Sequence, residues 1–128
     1  MAEMSNYLEN ALINATLRNT SYTSPTTTYL ALYTSDPTDA DTGTEVSGGS
    51  YARQAITFGA PSNGVSTNSA AIEFPAASAS WGTITHVGIR DASTSGNLLF
   101  HTPLDTSKAI GSGDIFKITT GNLSVTFA

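Results

Sequence analysis

The sequence predicts an all-β fold, a jelly-roll-like β-sandwich of about seven strands preceded by one short N-terminal α-helix. Three observations lead to this fold class. Thr and Ser together supply 36 of the 128 residues, and β-branched Thr suits the pleated surface of a strand. The 11 Gly and 5 Pro are spread along the chain and divide it into short segments. Apolar residues alternate with polar ones in several of these segments, as in half-buried strands.

Residues 1–19 form the first predicted unit, a helix of about residues 4–18 that serves as a docking or oligomerisation element. Its apolar residues recur at i, i+3, i+4, i+7, i+8 and i+11, which places them in one stripe. A helix of this length is marginal alone, so the stripe must dock on another surface. That surface is either the chain's own sheet or a neighbouring subunit. The stripe consists of Met4, Tyr7, Leu8, Ala11, Leu12 and Ala15.

Residues 20–128 form the second predicted unit, a single β-sandwich domain. The strand predicted at 26–34 carries apolar residues on both faces, which indicates that both faces are covered. Residues 59–68 read as a turn-rich loop, and the final two strands form a hairpin through Gly121-Asn122. The other predicted strands are 51–58, 69–74, 81–90, 97–101 (ended by Pro103), 114–119 and 123–127.

The predicted strand 81–90 is the longest of these strands. Strict alternation places Trp81, Val87 and Ile89 on one face, with Ile84 and His86 on the other. Gly82 and Gly88 share that second face, where a missing side chain indicates a bulge or a close backbone approach.

Composition limits the classes of function. The length fits one domain, and 39% hydrophobic residues suffice for one core. A net charge of −5 with five scattered basic residues argues against nucleic-acid binding. The chain has no cysteine, which excludes disulfides and thiolate chemistry. We expect neither a targeting segment nor a membrane partner, because no basic start with an apolar run and no long apolar stretch is present.

The long loop 35–49 carries four acidic residues. Hard cations need several converging oxygen ligands, so Ca²⁺ is conceivable there. The spacing departs from the EF-hand pattern, and Asp36-Pro37 is typical of an ordinary turn, so a solvated loop is the favoured interpretation. The acidic residues of the loop are Asp36, Asp39, Asp41 and Glu45.

The sequence contains no clear pattern of catalytic residues. His86 or His101 with Asp91 and one of the many serines suggests a triad, but no Gly-x-Ser-x-Gly elbow is present. His86 fits better as a hydrogen-bonded core or interface histidine. Glu45 and Glu73 show no flanking pattern of a glycosidase pair. We therefore expect no catalytic residue, no cofactor and no metal ligand, and hence no enzyme.

Two arginines lie on predicted strands. A long cation on a strand face either covers apolar surface or pairs with a carboxylate. For Arg53 and Arg90, the alternatives are a structural ion pair within the chain and a pair between subunits.

The chain resembles a family of small tailed-bacteriophage virion structural proteins. The most specific matching segments are Glu45-Val-Ser-Gly-Gly-Ser-Tyr-Ala-Arg-Gln-Ala-Ile-Thr-Phe-Gly59 and Trp81-Gly-Thr-Ile-Thr-His-Val-Gly-Ile-Arg-Asp91, and shorter matches span nearly the whole chain. Such proteins include capsid cement or decoration proteins and β-sandwich proteins labelled tail fibres. The resemblance implies a structural role and carries no catalytic residues.

The sequence is therefore interpreted as a non-enzymatic capsid cement protein on the outer surface of the virion, made in the host cytoplasm. The expected partners are further copies of the chain, as a homotrimer, and the major capsid protein. The alternative is a small tail fibre, tail-tip or baseplate component that binds glycans. The candidate interface residues are Tyr7, Leu8, Ala11, Leu12, Ala15, Tyr29, Tyr33, Tyr51, Arg53, Trp81 and His86.

Overall fold

The computed structural model describes residues 2–127, so residues 1 and 128, the outer limits of the two predicted units, lie outside the described residues. The described part is all-β with one helix, which confirms the predicted fold class. No helix within it has the length and hydropathy to cross a membrane. The elements are β1 (Glu3–Met4), α1 (Asn6–Leu17), β2 (Thr28–Tyr33), β3 (Gln54–Ile56), β4 (Val65–Thr67), β5 (Ile72–Glu73), β6 (Gly82–Arg90), β7 (Leu98–Ile110), β8 (Lys117–Ile118) and β9 (Ser124–Thr126).

The strands form one large antiparallel sheet and two small ladders. The sheet has five strands in the order β1-β7-β6-β2-β3, and the ladders pair β4 with β9 and β5 with β8. Apolar side chains of the sheet and of the ladder segments form one buried cluster, which is the main core. Its largest members include Leu30, Phe74, Trp81, Ile84 and Phe116.

Strand β2 lies between β6 and β3 in this sheet and is covered on both faces, as predicted. Leu30 and Leu32 point into the main core. Ala31 and Tyr33 point the other way and pack with Leu98. Burial on both faces explains the continuous apolar character of this strand.

Helix α1 packs its predicted stripe on its own sheet. Leu8 is buried, and Met4 and Leu12 pack against the main core. Ser5 caps the helix, since its hydroxyl accepts a hydrogen bond from Leu8 N at 3.2 Å. The helix begins two residues later than predicted because Met4 belongs to β1, where it pairs with Phe100 of β7.

Strand β7 is much longer than the predicted strand 97–101, and the predicted stop at Pro103 is wrong. Ile84 pairs with Lys108, whereas His86 pairs with Pro103. Two positions along β6 thus correspond to five along β7, so β7 carries three extra residues here. A bulge tolerates proline because the ladder is interrupted at that point.

The same irregularity corrects the predicted faces of β6. Trp81, Ile84, Val87 and Ile89 all belong to the main core, so Ile84 does not lie on a separate face. The broken register disrupts the two-residue alternation on which the prediction depended.

The predicted C-terminal hairpin is also wrong, although its turn exists. Asn122 N donates to Thr119 O at 3.1 Å, and Gly121 has a φ of +83°. The strands on either side then diverge, because β8 pairs with β5 and β9 pairs with β4. Strand β4 itself lies within the segment 59–68 that the sequence indicates as a loop.

Candidate functional site

The acidic loop 35–49 lies against the sheet and is held there by basic side chains of the sheet region. Three of its four carboxylates each contact a different basic side chain. Glu45 meets Arg53, Asp41 meets Arg90, and Asp39 meets His101. The loop and these partners are the densest group of charged residues in the described part of the chain, so they form the candidate site.

Glu45 binds two side chains of the segment that leads into β3. Arg53 Nη2 donates to Glu45 Oε1 and Arg53 Nε donates to Oε2, both at 2.8 Å. Tyr51 donates its hydroxyl proton to Oε2 at 2.6 Å. The remaining Arg53 nitrogen, Nη1, donates to the carbonyls of Ala92 and Ser95. One arginine thereby joins the acidic loop to the turn that follows β6.

These contacts shift the pKa values of Glu45, Tyr51 and Arg53. Burial by itself would raise the pKa of Glu45, but the hydrogen bonds from Arg53 and Tyr51 outweigh it and lower the pKa below its usual value. Burial, followed by the hydrogen bond to Glu45, raises the pKa of Tyr51. The hydrogen bond to Glu45 also raises the pKa of Arg53. Glu45 is therefore a stable anion, unsuited to act as a general acid near neutral pH.

Tyr51 and the neighbouring loop also complete the ladder beside β2. Leu32 N, which lies beyond the end of β3, donates to the Tyr51 hydroxyl at 3.0 Å. Leu32 O accepts from Val46 N at 3.0 Å. Trp81 fixes the far end of the loop, since its Nε1 donates to Gly49 O at 2.9 Å. The residues of the Tyr-Ala-Arg-Gln and Trp-Gly-Thr segments thus shape the loop.

Arg90 makes the second clamp, at the end of β6. Its two terminal nitrogens donate to Asp41 at 2.8 and 2.9 Å, and Nη1 also donates to the Tyr33 hydroxyl at 2.9 Å. Nη2 donates to Gly96 O at 3.0 Å, and Nε is buried with no hydrogen-bond partner among residues 2–127. Burial would lower the pKa of Arg90, but the bonds to Asp41 and Tyr33 raise it overall. Both arginines therefore form structural ion pairs within the chain.

The histidines do not assemble the triad considered from the sequence. His86 Nδ1 lies 2.8 Å from Thr85 Oγ1, and His101 Nε2 lies 2.8 Å from Asp39 Oδ1. Asp91 instead accepts from Asn97 N at 2.7 Å and closes the turn after β6. His86 is half-buried, and His101 is the more buried of the two.

Asp36 shows the ordinary turn expected from the sequence. Its Oδ1 accepts from Thr38 N at 2.9 Å, the pattern of an Asx turn. The four carboxylates of the loop do not converge on one point, since Asp41 and Glu45 are each bound by a separate arginine. The loop therefore lacks the converging oxygen shell that Ca²⁺ requires.

The predicted interface residues are distributed between surface and core, and their role stays a prediction. Tyr7 is 42% exposed, whereas Leu8, Tyr33 and Trp81 are buried within the chain. Burial within the chain is therefore enough to explain why Leu8, Tyr33 and Trp81 are apolar or aromatic, without a partner. The half-buried candidates are Ala11, Leu12, Ala15, Tyr29, Tyr51, Arg53 and His86.

An open groove of about 810 Å³ lies between the bulged part of β7 and the C-terminal strands. Leu104, Phe116, Ile118 and Leu123 contribute its apolar lining, and threonine and serine hydroxyls contribute much of the rest. Asp105, Lys108 and Lys117 are its charged residues. The lining of the groove does not include the His or Arg residues of the loop clamps, so this groove is separate from the charged site.

The sequence-based predictions do not include the binding of Arg53, Arg90 and His101 to Glu45, Asp41 and Asp39. Tyr51 and Arg53 stand two residues apart, on one face of an extended segment, and Glu45 precedes them closely. That spacing is a usable signal for a shared carboxylate. Asp41 and Arg90 are separated by 49 residues, and no local pattern connects them.

The comparison with known families agrees with the resemblance noted from the sequence. Residues 3–126 match the family described as podophage GP4 fiber I protein gp80. No curated protein matches the chain. The match covers almost the whole described structure, including the loop, its clamps and the helix. The chain therefore belongs to this family of phage structural proteins, described as podophage GP4 fiber I protein gp80.

Proposed function

We propose that this chain is a non-enzymatic structural subunit of a phage tail fibre, where it acts by assembling with further copies of itself. The description of its family as a fibre protein supports the location. The observation that supports a structural role is that Arg53 and Arg90 pair with carboxylates of the same chain. The two arginines with nearly buried side chains bind carboxylates of the same loop and thereby fix its shape.

The charged site is poorly suited to catalysis. A catalytic site combines an activated nucleophile or base with a cavity that holds the substrate. Here Glu45 is held as an anion by Arg53, and Asp41 is held by Arg90. The groove beside β7 lies at a different place and is lined mainly by hydroxyl and apolar side chains. These features support scaffolding by the clamped loop.

The outer face of α1 is the surface that we assign to assembly. Leu17 is 79% exposed and Ile13 is 52% exposed, one helical turn apart. Met4, Leu8 and Leu12 of the predicted stripe pack toward the main core, so we assign the partner to the opposite face. A second copy is the occupant that fits, because fibres are built from repeated subunits and symmetric contacts reuse one patch. The predicted homotrimer remains the proposed oligomer.

Light scattering coupled to gel filtration tests this assembly. The wild-type chain should elute at three times its 13.3 kDa monomer mass. Leu17→Glu should shift the population toward monomer, because it places a charge in an apolar contact. Ser107→Glu, which adds the same charge at an exposed position of the β7 bulge, should leave the trimer intact. A monomeric wild type, or a trimer unaffected by Leu17→Glu, would contradict the proposed surface.

Capsid cement is the second candidate, because the chain is small, acidic and has no basic face toward packaged DNA. Copy number separates the two locations. Quantitative mass spectrometry of intact virions should find this chain at a small fraction of the copies of the major capsid protein if it forms fibres. A copy number comparable to that of the major capsid protein would favour the shell.

A further inference from the structure

His101 and two carboxylates form a cluster at the edge of the sheet, and neither Arg53 nor Arg90 belongs to it. His101 Nε2 lies 2.8 Å from Asp39 Oδ1 and 3.9 Å from Glu3 Oε2. One ligand atom from each of the three residues lies within 4.8 Å of the other two. The histidine is only 5% exposed, whereas both carboxylates reach solvent.

Three separate elements hold these side chains in place. Glu3 is the direct partner of His101 in the pairing of β1 with β7. Asp39 is fixed by its own backbone, because its carbonyl accepts from Asn6 N at the start of α1 at 2.8 Å. His101 is held by packing in the sheet. The backbones of the three residues are therefore positioned before any ligand binds, and only the exposed Glu3 and Asp39 side chains remain to be ordered.

The charges around the cluster are unbalanced. Asp41 and Glu45 of the same loop each have an arginine partner. Within residues 2–127, the ion pairs of Glu3, Asp36 and Asp39 involve histidines alone. Three carboxylates thus gather around His101, and none of them pairs with a lysine or arginine among residues 2–127. A divalent cation would supply the missing positive charge.

The distances suit a small tetrahedral ion. Zn²⁺ binds histidine nitrogen and carboxylate oxygen at about 2.0–2.2 Å, which places neighbouring ligand atoms about 3.3 Å apart. The observed separations of 2.8 and 3.9 Å lie on either side of that value. Small movements of the exposed Glu3 and Asp39 side chains would equalise them.

The other ring nitrogen has a suitable neighbour. His101 Nδ1 faces Asp36 Oδ1 at 3.9 Å, and Asp36 is itself oriented by its bond from Thr38 N. Histidines that bind metals commonly direct their second nitrogen at a carboxylate, which fixes the tautomer. A rotation of the exposed Asp36 side chain that closes this gap would let Asp36 accept a hydrogen bond from Nδ1, and Nε2 could then bind the ion in place of its 2.8 Å contact with Asp39.

We propose that Glu3, Asp39 and His101 form a site for a divalent transition-metal ion of the Zn²⁺ class. One imidazole and two carboxylates match the preference of this class, and Mg²⁺ and Ca²⁺ prefer shells of oxygen alone. Solvent occupies the remaining position. The ion would join β1 and the acidic loop to β7, and so stabilise the folded chain. This site departs from the sequence-based expectation of no metal ligand, because 98 residues separate Glu3 from His101.

Thermal unfolding and calorimetry of the untagged chain, with ZnCl₂ as the probe, test the site. One Zn²⁺ should bind per chain, and a 100-fold excess over Kd should raise the Tm by about 10 °C. CaCl₂ at the same concentration should have little effect. Glu3→Gln should weaken Zn²⁺ binding at least tenfold without lowering the metal-free Tm, because Glu3 is exposed.

Two control variants test whether Zn²⁺ binding depends on the cluster itself. Glu9→Gln removes an exposed carboxylate of α1 that is not in the cluster, and it should bind Zn²⁺ as the wild type does. His86→Asn should also retain binding, because His86 contacts Asp36 and is not one of the three residues of the cluster. The proposal is overturned if Zn²⁺ binds only at millimolar concentration, if Glu3→Gln binds normally, or if His86→Asn abolishes binding.

Discussion

Tyr51→Phe is the sharpest test of how the acidic loop is held. The change removes one oxygen and keeps the ring, which stacks on Phe74 at 6.0 Å and meets Trp81 edge-on at 5.5 Å. The lost hydroxyl donates to ionised Glu45 and accepts from the N–H of Leu32, a fully buried residue of β2. A hydrogen bond to a charged group contributes about 1.5–3 kcal/mol, and an unsatisfied buried N–H costs about 1–3 kcal/mol. Because Glu45 keeps its bonds to Arg53, we expect a total loss of about 3 kcal/mol.

Urea unfolding, followed by circular dichroism, measures this loss as a lower midpoint at an unchanged slope. For a chain of this length, about 3 kcal/mol corresponds to a Tm decrease of about 10 °C. Tyr29→Phe is the matched control, because the Tyr29 hydroxyl has no hydrogen bond among the described residues, and it should change stability by less than about 0.5 kcal/mol. Equal stabilities of the two variants would refute the role of the Tyr51 hydroxyl.

Three further predictions concern close packing and ionisation. A Cβ at Gly88 would lie 2.8 Å from side-chain atoms of Leu98 and Tyr33, so Gly88→Ala should cost about 1–3 kcal/mol in urea unfolding, whereas Gly111→Ala should cost less than Gly88→Ala. The lowered pKa of Glu45 contributes stability that is present above the unfolded value of about 4.3 and is lost as the pH falls through the folded pKa. Glu45→Gln should flatten the acid limb of a stability–pH curve, and an unchanged limb would contradict this. The raised pKa of Tyr51 acts in the opposite direction, with stability present below about pH 10 and lost above it, so Tyr51→Phe should flatten the alkaline limb.

Much of the fold followed from local patterns in the sequence. The 3.6-residue period located α1, and the two-sided apolar character of β2 identified a covered strand. Local patterns failed at β7, where Pro103 indicates the end of a strand but lies at a bulge that the sheet tolerates. The turn at Gly121 was also found correctly, yet its flanking strands pair with β5 and β4. Strand partners depend on long-range contacts that no local pattern records.

The candidate site likewise combines contacts between residues close in sequence with contacts between residues far apart in sequence. Tyr51 and Arg53 lie two residues apart in the predicted strand 51–58, and both bind Glu45, which precedes them by only six and eight residues. The Asp41–Arg90 and Glu3–His101 contacts cross the fold, so they are visible only in the structure. The sequence could therefore name several participants of the site, while their partners required the topology.

Immunogold electron microscopy of intact virions, with an antibody against this chain, tests the central claim most directly. Gold particles on the tail fibres are the expected result. Gold distributed over the capsid shell, or absent from purified particles, would contradict it.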